Sequence, residues 1–208
     1  MDQSVIVIKD TTANPAPLGL LAFGLTTVIL NLHNAGIFEM NSMILAMGIF
    51  YGGIAQLIAG IMEAKKNNTF GFVAFVSYGS FWLTLVALII MPKLGWVPAA
   101  TPTAMISYLV MWGIFTALLF FGTLRISRSL QFIFATLTIL FFLLALSENS
   151  TSQALKSFTA YEGIVCGAAA IYTGAGALLN EIYGRTIFPL GIIIKKYAEE
   201  EKSNLSAA

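Results

Sequence analysis

The sequence predicts an all-α membrane protein of six transmembrane helices, and three observations carry that reading. Of its 208 residues, 58% are hydrophobic and only 10% charged, with a mean hydropathy of +0.84. A water-facing domain carries roughly 25% charged residues, so this chain has too few to coat a soluble surface. Its charges gather in short stretches between long apolar runs, and its lysines and arginines concentrate on alternate connections.

Read with a window of about 19 residues, the apolar runs fall at 18–34, 40–62, 70–91, 103–123, 130–147 and 161–181. Each is close to the ~20 residues a helix needs to cross the hydrocarbon core. The first begins near Leu18 without a basic leader or small-residue cleavage site, so a removable signal peptide is not expected. Asn67-Asn68 after Lys65-Lys66 breaks spans two and three. Pro92, Gly95, Pro98 and Pro102 break spans three and four, and Glu148-Asn149-Ser150 opens the loop before span six. No stretch is long or polar enough for a separate soluble unit, so residues 1–208 read as one transmembrane domain with short tails. Two halves of three spans would be inverted relative to each other, as in many transporters.

Orientation follows from the basic residues. If six spans alternate, Lys9, Lys65, Lys66, Arg125, Arg128, Arg185, Lys195, Lys196 and Lys202 lie on one side, and only Lys93 and Lys156 on the other. The positive-inside rule then puts both termini in the cytoplasm, and the chain is expected as a multi-pass protein of the cell (inner) membrane. A missed or false span would scramble this pattern, so the bias also supports the count of six.

The polar residues within the spans form stripes. Span two places Asn41, Leu45, Gly48, Gly52, Gln56, Ala59 and Glu63 at three- and four-residue spacing, and span six does the same with Glu162, Cys166, Ala169, Thr173, Ala177 and Asn180. Span one aligns Leu20, Phe23, Thr27, Asn31 and Asn34; span three carries Ser77, Ser80 and Thr84. Polar groups face lipid only at a cost, so such stripes point at neighbouring helices or at a wet path. Small residues four apart, such as Gly48/Gly52 and Gly163/Gly167, also serve close helix packing. Any one stripe admits either use; four stripes in six helices favour a conduit. Glu63 and Glu181 fall at the span ends beside basic residues, where an interfacial pairing role outweighs proton relay.

Other function classes are excluded or unsupported. A net charge of +1 argues against a nucleic-acid surface, and the single cysteine, Cys166, excludes a disulfide framework and leaves no metal set. His33, the lone histidine, sits near the outer end of span one, where interfacial hydrogen bonding is its expected role. No HExxH, P-loop or GxGxxG occurs, so neither metal, cofactor nor enzyme is called for. Ser80, in Tyr78-Gly79-Ser80-Phe81, lacks the setting of an intramembrane protease nucleophile. No Lys or Arg lies mid-span, so an anion here must be met by hydrogen-bond donors and helix ends.

The segment Asn14-Pro15-Ala16-Pro17-Leu18-Gly19-Leu20 opens span one. Asn14 is placed to cap the helix, Pro15 to take its first position and Pro17 its first turn, where no intrahelical bond is lost. Two missing N–H donors make this helix start a poor anion cup. Asn-Pro-Ala also occurs in aquaporins, but those need two copies on facing half-helices, and one copy before a full span does not fit.

The whole heptad resembles the signature of the acetate uptake transporter family, the succinate–acetate permeases of bacteria and archaea and their ammonia/acetate-export relatives in fungi. The similarity runs from Asn14 to about Pro189. It includes Phe23, the run MGIFYGGIAQ from Met47 to Gln56, Ser77-Tyr78-Gly79-Ser80-Phe81-Trp82, and Leu130-Gln131-Phe132. The resemblance implies six-helix protomers assembled as homo-hexamers in membrane lipid, each with its own path, similar in layout to the acid-activated urea channel. It implies a mid-membrane constriction of Phe23, Tyr78 and Leu137, and transport of acetate, with succinate or other short carboxylates as further substrates and proton coupling. Thr27, Asn31, Gln56 and Thr84 are the candidate donors along that path, and weak binding without a cation suits throughput. Two other readings stand beside it: a channel for a small neutral solute such as urea or ammonia, and a non-transporting scaffold that assembles through its glycine faces. Channel and proton-coupled carrier are not distinguished by sequence.

Overall fold

A computed structural model describes residues 12–193. The described residues form six helices long and apolar enough to cross a membrane. They are α1 (Ala16–Asn34), α2 (Ser42–Lys65), α3 (Thr69–Lys93), α4 (Pro102–Thr123), α5 (Arg128–Ser147) and α6 (Gln153–Ile182). Lys9, Lys195, Lys196 and Lys202, which enter the charge count, lie outside the described residues.

Capping chemistry sets most helix starts. Asn41, Asn68, Thr101, Ser127 and Ser152 each accept a backbone N–H of the first turn through a side-chain oxygen, satisfying donors that a helix leaves free. Asn41 is thus a cap of α2 rather than a member of its inner stripe. The α2–α3 turn closes because Asn67 adopts φ 57°, a left-handed conformation that asparagine tolerates. Asn68 N–H then reaches back to Glu63 O at 3.0 Å.

Two elements differ from their sequence expectation. Helix α6 starts at Gln153, well before residue 161, because Lys156 and Thr159 depress a hydropathy average without breaking a helix. In α2 the run Met47–Ala55 is π-helical, a widened turn that hydropathy does not reveal. It coincides with Gly48, Gly52 and Gly53, over which Trp82, Leu83 and Val86 of α3 pack so closely that a Cβ on Gly52 would lie 2.8 Å from Trp82 Cγ.

Glycine also brings α1 against α6. A Cβ on Gly24 would sit 2.7 Å from Gly167 O, and Gly163 leaves the space that Asn31 fills. These are the close backbone approaches expected of small-residue helix seams. On the other side of the bundle, Phe81, Trp112 and Phe141 interlock edge-to-face and stacked across α3, α4 and α5, with centroids 5.2–6.4 Å apart, in the arrangements aromatic quadrupoles favour. After α6, Asn180 accepts from Ile187 N at 2.6 Å and Phe188 N at 2.9 Å. The chain then turns back to bridge Ile192 with Ser127. Asn180 therefore organises the segment after α6.

Candidate functional site

The entrance motif folds as a compact cap. Gly19 N–H donates to Pro15 O at 3.2 Å, so Pro15 is the N-cap residue rather than the first helical one, Asn14 lies one residue before the cap, and α1 begins at Ala16. Pro17 stands in the first turn, where its missing N–H costs no intrahelical bond. Asn14 Oδ1 accepts from Ala16 N at 3.2 Å, and Asn14 Nδ2 donates to Glu181 Oε2 at 3.0 Å. The motif thereby ties the start of α1 to the end of α6, and Glu181 finds an amide partner there.

A cavity of about 260 Å³ begins beside this cap. Ala16, Asn68, Phe70, Ile126 and Leu130 line it at the end of the bundle that carries Lys65 and Arg125, and Phe23, Gln56, Tyr78, Phe134 and Leu137 line it deeper in. Phe23, Tyr78 and Leu137 come from α1, α3 and α5 and are all buried. The Phe23 and Tyr78 rings meet at 5.8 Å between centroids, tilted by 53°, and Phe134 abuts Tyr78 at 6.0 Å. Three residues far apart in sequence thus share one apolar wall.

The wall's polar groups are few. Glu63 accepts from Asn68 Nδ2 at 2.8 Å, and both residues line the cavity, along with Gln56. Among the described lining residues there is no lysine or arginine. Tyr78 O–H donates to Thr116 Oγ1 at 2.9 Å, and Thr116 O–H donates to Trp112 O at 2.7 Å. The Tyr78 hydroxyl is therefore held by α4.

The other path candidates fall elsewhere. Thr27 O–H donates to Phe23 O at 2.7 Å, and Asn31 Nδ2 donates to Thr27 O at 2.9 Å. Both are buried, Asn31 against Gly163 of α6, and neither lines the cavity. Thr84 is exposed, with its hydroxyl on Phe81 O and 2.8 Å from Tyr108 O–H, also outside the cavity wall. Of the four, only Gln56 lines the cavity with Phe23, Tyr78 and Leu137.

At the opposite end of the bundle, Asn34, Leu144, Ser147, Glu148, Lys156 and Thr159 line a second recess of about 270 Å³. Phe23 and Asn34 are eleven residues apart on α1, or ~16 Å at helical rise. His33 Nδ1 stands 2.9 Å from Phe38 O; since a carbonyl only accepts, that nitrogen carries the proton. Sequence reading missed Thr116, Phe134 and Asn68. Thr116 sits one turn after Trp112 in an otherwise apolar span, a position that alone signals no more than bonding back to its own helix.

The fold and cavity define the class: a multi-pass membrane protein of six helices with a mostly apolar cavity between α1, α2, α3 and α5. The chain belongs to the GPR1/FUN34/yaaH family, which it matches over residues 3–190. It is 56% identical over 179 residues to the succinate-acetate/proton symporter SatP of Escherichia coli K12, covering 86% of this chain and 95% of that protein. It superposes on a solved structure of the bacterial acetate channel SatP with a TM-score of 0.85 at 56% identity, over 87% of this chain and all of that one. It is 37% identical over 143 residues to acetate permease A of Emericella nidulans, covering 64% of this chain and 48% of that protein.

Proposed function

We propose that this chain carries acetate, and succinate or other short carboxylates, across the cell membrane with protons. The observation that carries the reading is a mostly apolar cavity with Phe23, Tyr78 and Leu137 on its wall; in this reading the three form an apolar ring that accepts a methyl group and is too tight for bulky solutes. The similarity to SatP and to an acetate permease supports the substrate class. In this reading Gln56 is the polar contact on the path, while Thr27 and Asn31 hold the shape of the α1–α6 seam and Thr84 that of the α3–α4 contact. The whole chain works as one transmembrane domain with both termini in the cytoplasm. It assembles in lipid as a homo-hexamer, with one path in each protomer.

The test is uptake of labelled acetate into proteoliposomes, with and without an imposed proton gradient, with urea in parallel. Protein-dependent acetate uptake that rises with an inward proton gradient is the expected result. Urea flux without acetate flux would assign the path to a neutral solute instead.

A further inference from the structure

We infer that the cleft between the start of α5 and the second half of α6 binds one anionic phospholipid, with its phosphate on Arg128 and an acyl chain over Phe132 and Tyr172. The cleft shares no lining residue with the transport cavity. It therefore stands independently of the transport reading.

The cleft has a volume of about 540 Å³. Arg128, Ser129 and Phe132 of α5 form one side, Ala169 and Tyr172 of α6 the other, and the segment Pro189–Gly191 closes the end. That closing segment is fixed in place. Arg128 N–H donates to Gly191 O at 2.9 Å and Ser129 N–H to Leu190 O at 3.2 Å. Tyr172 O–H donates to Pro189 O at 3.3 Å, and the Tyr172 ring meets Phe188 edge-on at 5.4 Å. Gly191 has φ 63°, and a Cβ there would lie 2.6 Å from Arg128 Cβ. Only glycine lets the chain pass under Arg128 in that conformation.

The chemistry of the walls selects the occupant. Arg128 is the charged residue among the described lining residues. Its Nη1 donates to Gln131 Oε1 at 2.9 Å, a neutral partner that leaves the charge uncompensated. A guanidinium has five N–H donors in a fork that matches phosphate oxygens. Ser129 Oγ, 3.3 Å from Ser127 Oγ, stands beside it as a second side-chain donor. The backbone N–H groups of Arg128 and Ser129 are already spent on Gly191 and Leu190, so the helix start itself is not the anion site. Below this polar mouth the walls are apolar: Phe132 is 52% and Tyr172 41% exposed. Phe132 lies one turn from Arg128, or ~6 Å along the helix, so a cation and an apolar trough follow each other in the order of a lipid's head and tail. The cleft opens at the end of the bundle that carries Lys65 and Arg125, and basic pockets between spanning helices on such a face hold anionic headgroups. A second copy of the chain would have to bring a carboxylate to this level. The described carboxylates at this end are Glu63, bonded to Asn68, and Glu181, bonded to Asn14.

The test titrates the full-length oligomer in detergent with dioleoylphosphatidylglycerol or dioleoylphosphatidylcholine, which share their chains and differ in headgroup charge. Native mass spectrometry counts retained lipid, and a thermal melt reads stabilisation. The anionic lipid should be retained at one per protomer and raise the melting temperature more than the zwitterionic one, and the difference should shrink in high salt. Arg128→Gln should weaken binding of the anionic lipid about fivefold, the worth of one basic residue at a membrane surface, and Arg128→Lys should keep part of it. Lys65→Gln removes the same charge at the same end but outside the cleft, and should leave binding unchanged. Equal binding of the two lipids by the wild type would overturn the inference, and that comparison stands even if Arg128→Gln fails to fold. Equal weakening by Arg128→Gln and Lys65→Gln would reduce the effect to general surface charge and overturn it too. An oligomer that retains no anionic lipid and dissociates on Arg128→Gln would give the cleft to a neighbouring copy instead.

Discussion

Tyr78 and Thr116 share a buried hydrogen bond of 2.9 Å that links α3 to α4. The bond turns the Tyr78 hydroxyl sideways, so the ring face and edge, rather than the hydroxyl, shape the cavity. The two partners do not contribute symmetrically. Tyr78→Phe removes a donor and leaves Thr116 still donating to Trp112 O. Thr116→Val strands a buried hydroxyl, which costs about 1–3 kcal/mol, against about 1 kcal/mol for a simple loss of the bond. Thr116→Val should therefore lower the melting temperature in detergent more than Tyr78→Phe does, and Tyr78→Phe should keep acetate flux and size selection. Equal melting temperatures for the two variants would mean that the hydroxyl finds another acceptor.

Helix packing gives the second prediction. A Cβ on Gly52 would stand 2.8 Å from Trp82 Cγ and 2.9 Å from Thr26 Cγ2, and one on Gly48 would stand 2.7 Å from Val86 Cγ2. Overpacking of this kind costs about 1–3 kcal/mol even for small additions. Gly52→Ala should be destabilised by that order in a thermal melt, and Gly52→Leu should fail to yield a folded oligomer by native mass spectrometry. A Gly52→Leu protein that assembles and transports normally would show that α2 and α3 can part without loss.

Those contacts also show what sequence discloses and what it does not. Hydropathy reveals six spans because each must bury its own backbone bonds in lipid, and that constraint is local. The Gly24–Gly167 seam is partly legible for the same reason, as small residues at four-residue spacing mark close approach. The candidate site is less so. Thr27 and Asn31 share a stripe with Phe23, yet their hydrogen bonds return to α1's own carbonyls. A stripe tells which face is polar and not which neighbour it meets. Gln56 reads as a potential donor, and only the structure shows that one of its two amide N–H groups is taken by Gly52 O. The shared wall of Phe23, Tyr78 and Leu137 comes from the family motif, since an apolar residue in an apolar span carries no signal of its own.

Topology is the third prediction. Lys65, Lys93 and Lys156 are all exposed, Lys65 at the end of the bundle beside the cavity mouth and the other two at the opposite end. Single cysteines at Lys93 and Lys156 should react with an impermeant thiol reagent added outside intact cells, and one at Lys65 should not. The native Cys166 is fully buried and gives no background. Equal labelling at all three positions would remove the model of six spans with both termini inside.

The last prediction concerns the constriction. Leu137 is 3% exposed and lines the cavity with Phe23 and Tyr78, so it is either the third side of a narrow ring or simply part of the packing between α5 and its neighbours. The two roles respond differently to Leu137→Ala. A packing residue would lose about 2–5 kcal/mol on truncation, and all fluxes would fall together with the yield of folded protein. A ring residue already borders empty space, so truncation widens the path and should cost toward the lower end of that range. Size discrimination in an apolar pocket is about 1–3 kcal/mol per methylene. Relieving it should raise lactate or succinate flux relative to acetate by roughly tenfold, with acetate itself little changed. Phe23→Ala, on the opposite wall, should act in the same direction, and combining the two should add less than the sum, because residues facing one cavity are coupled. Competition uptake with acetate and lactate, normalised to folded oligomer, reads the ratio directly. An unchanged ratio in both alanine variants would take these side chains out of the path and leave Leu137 as packing.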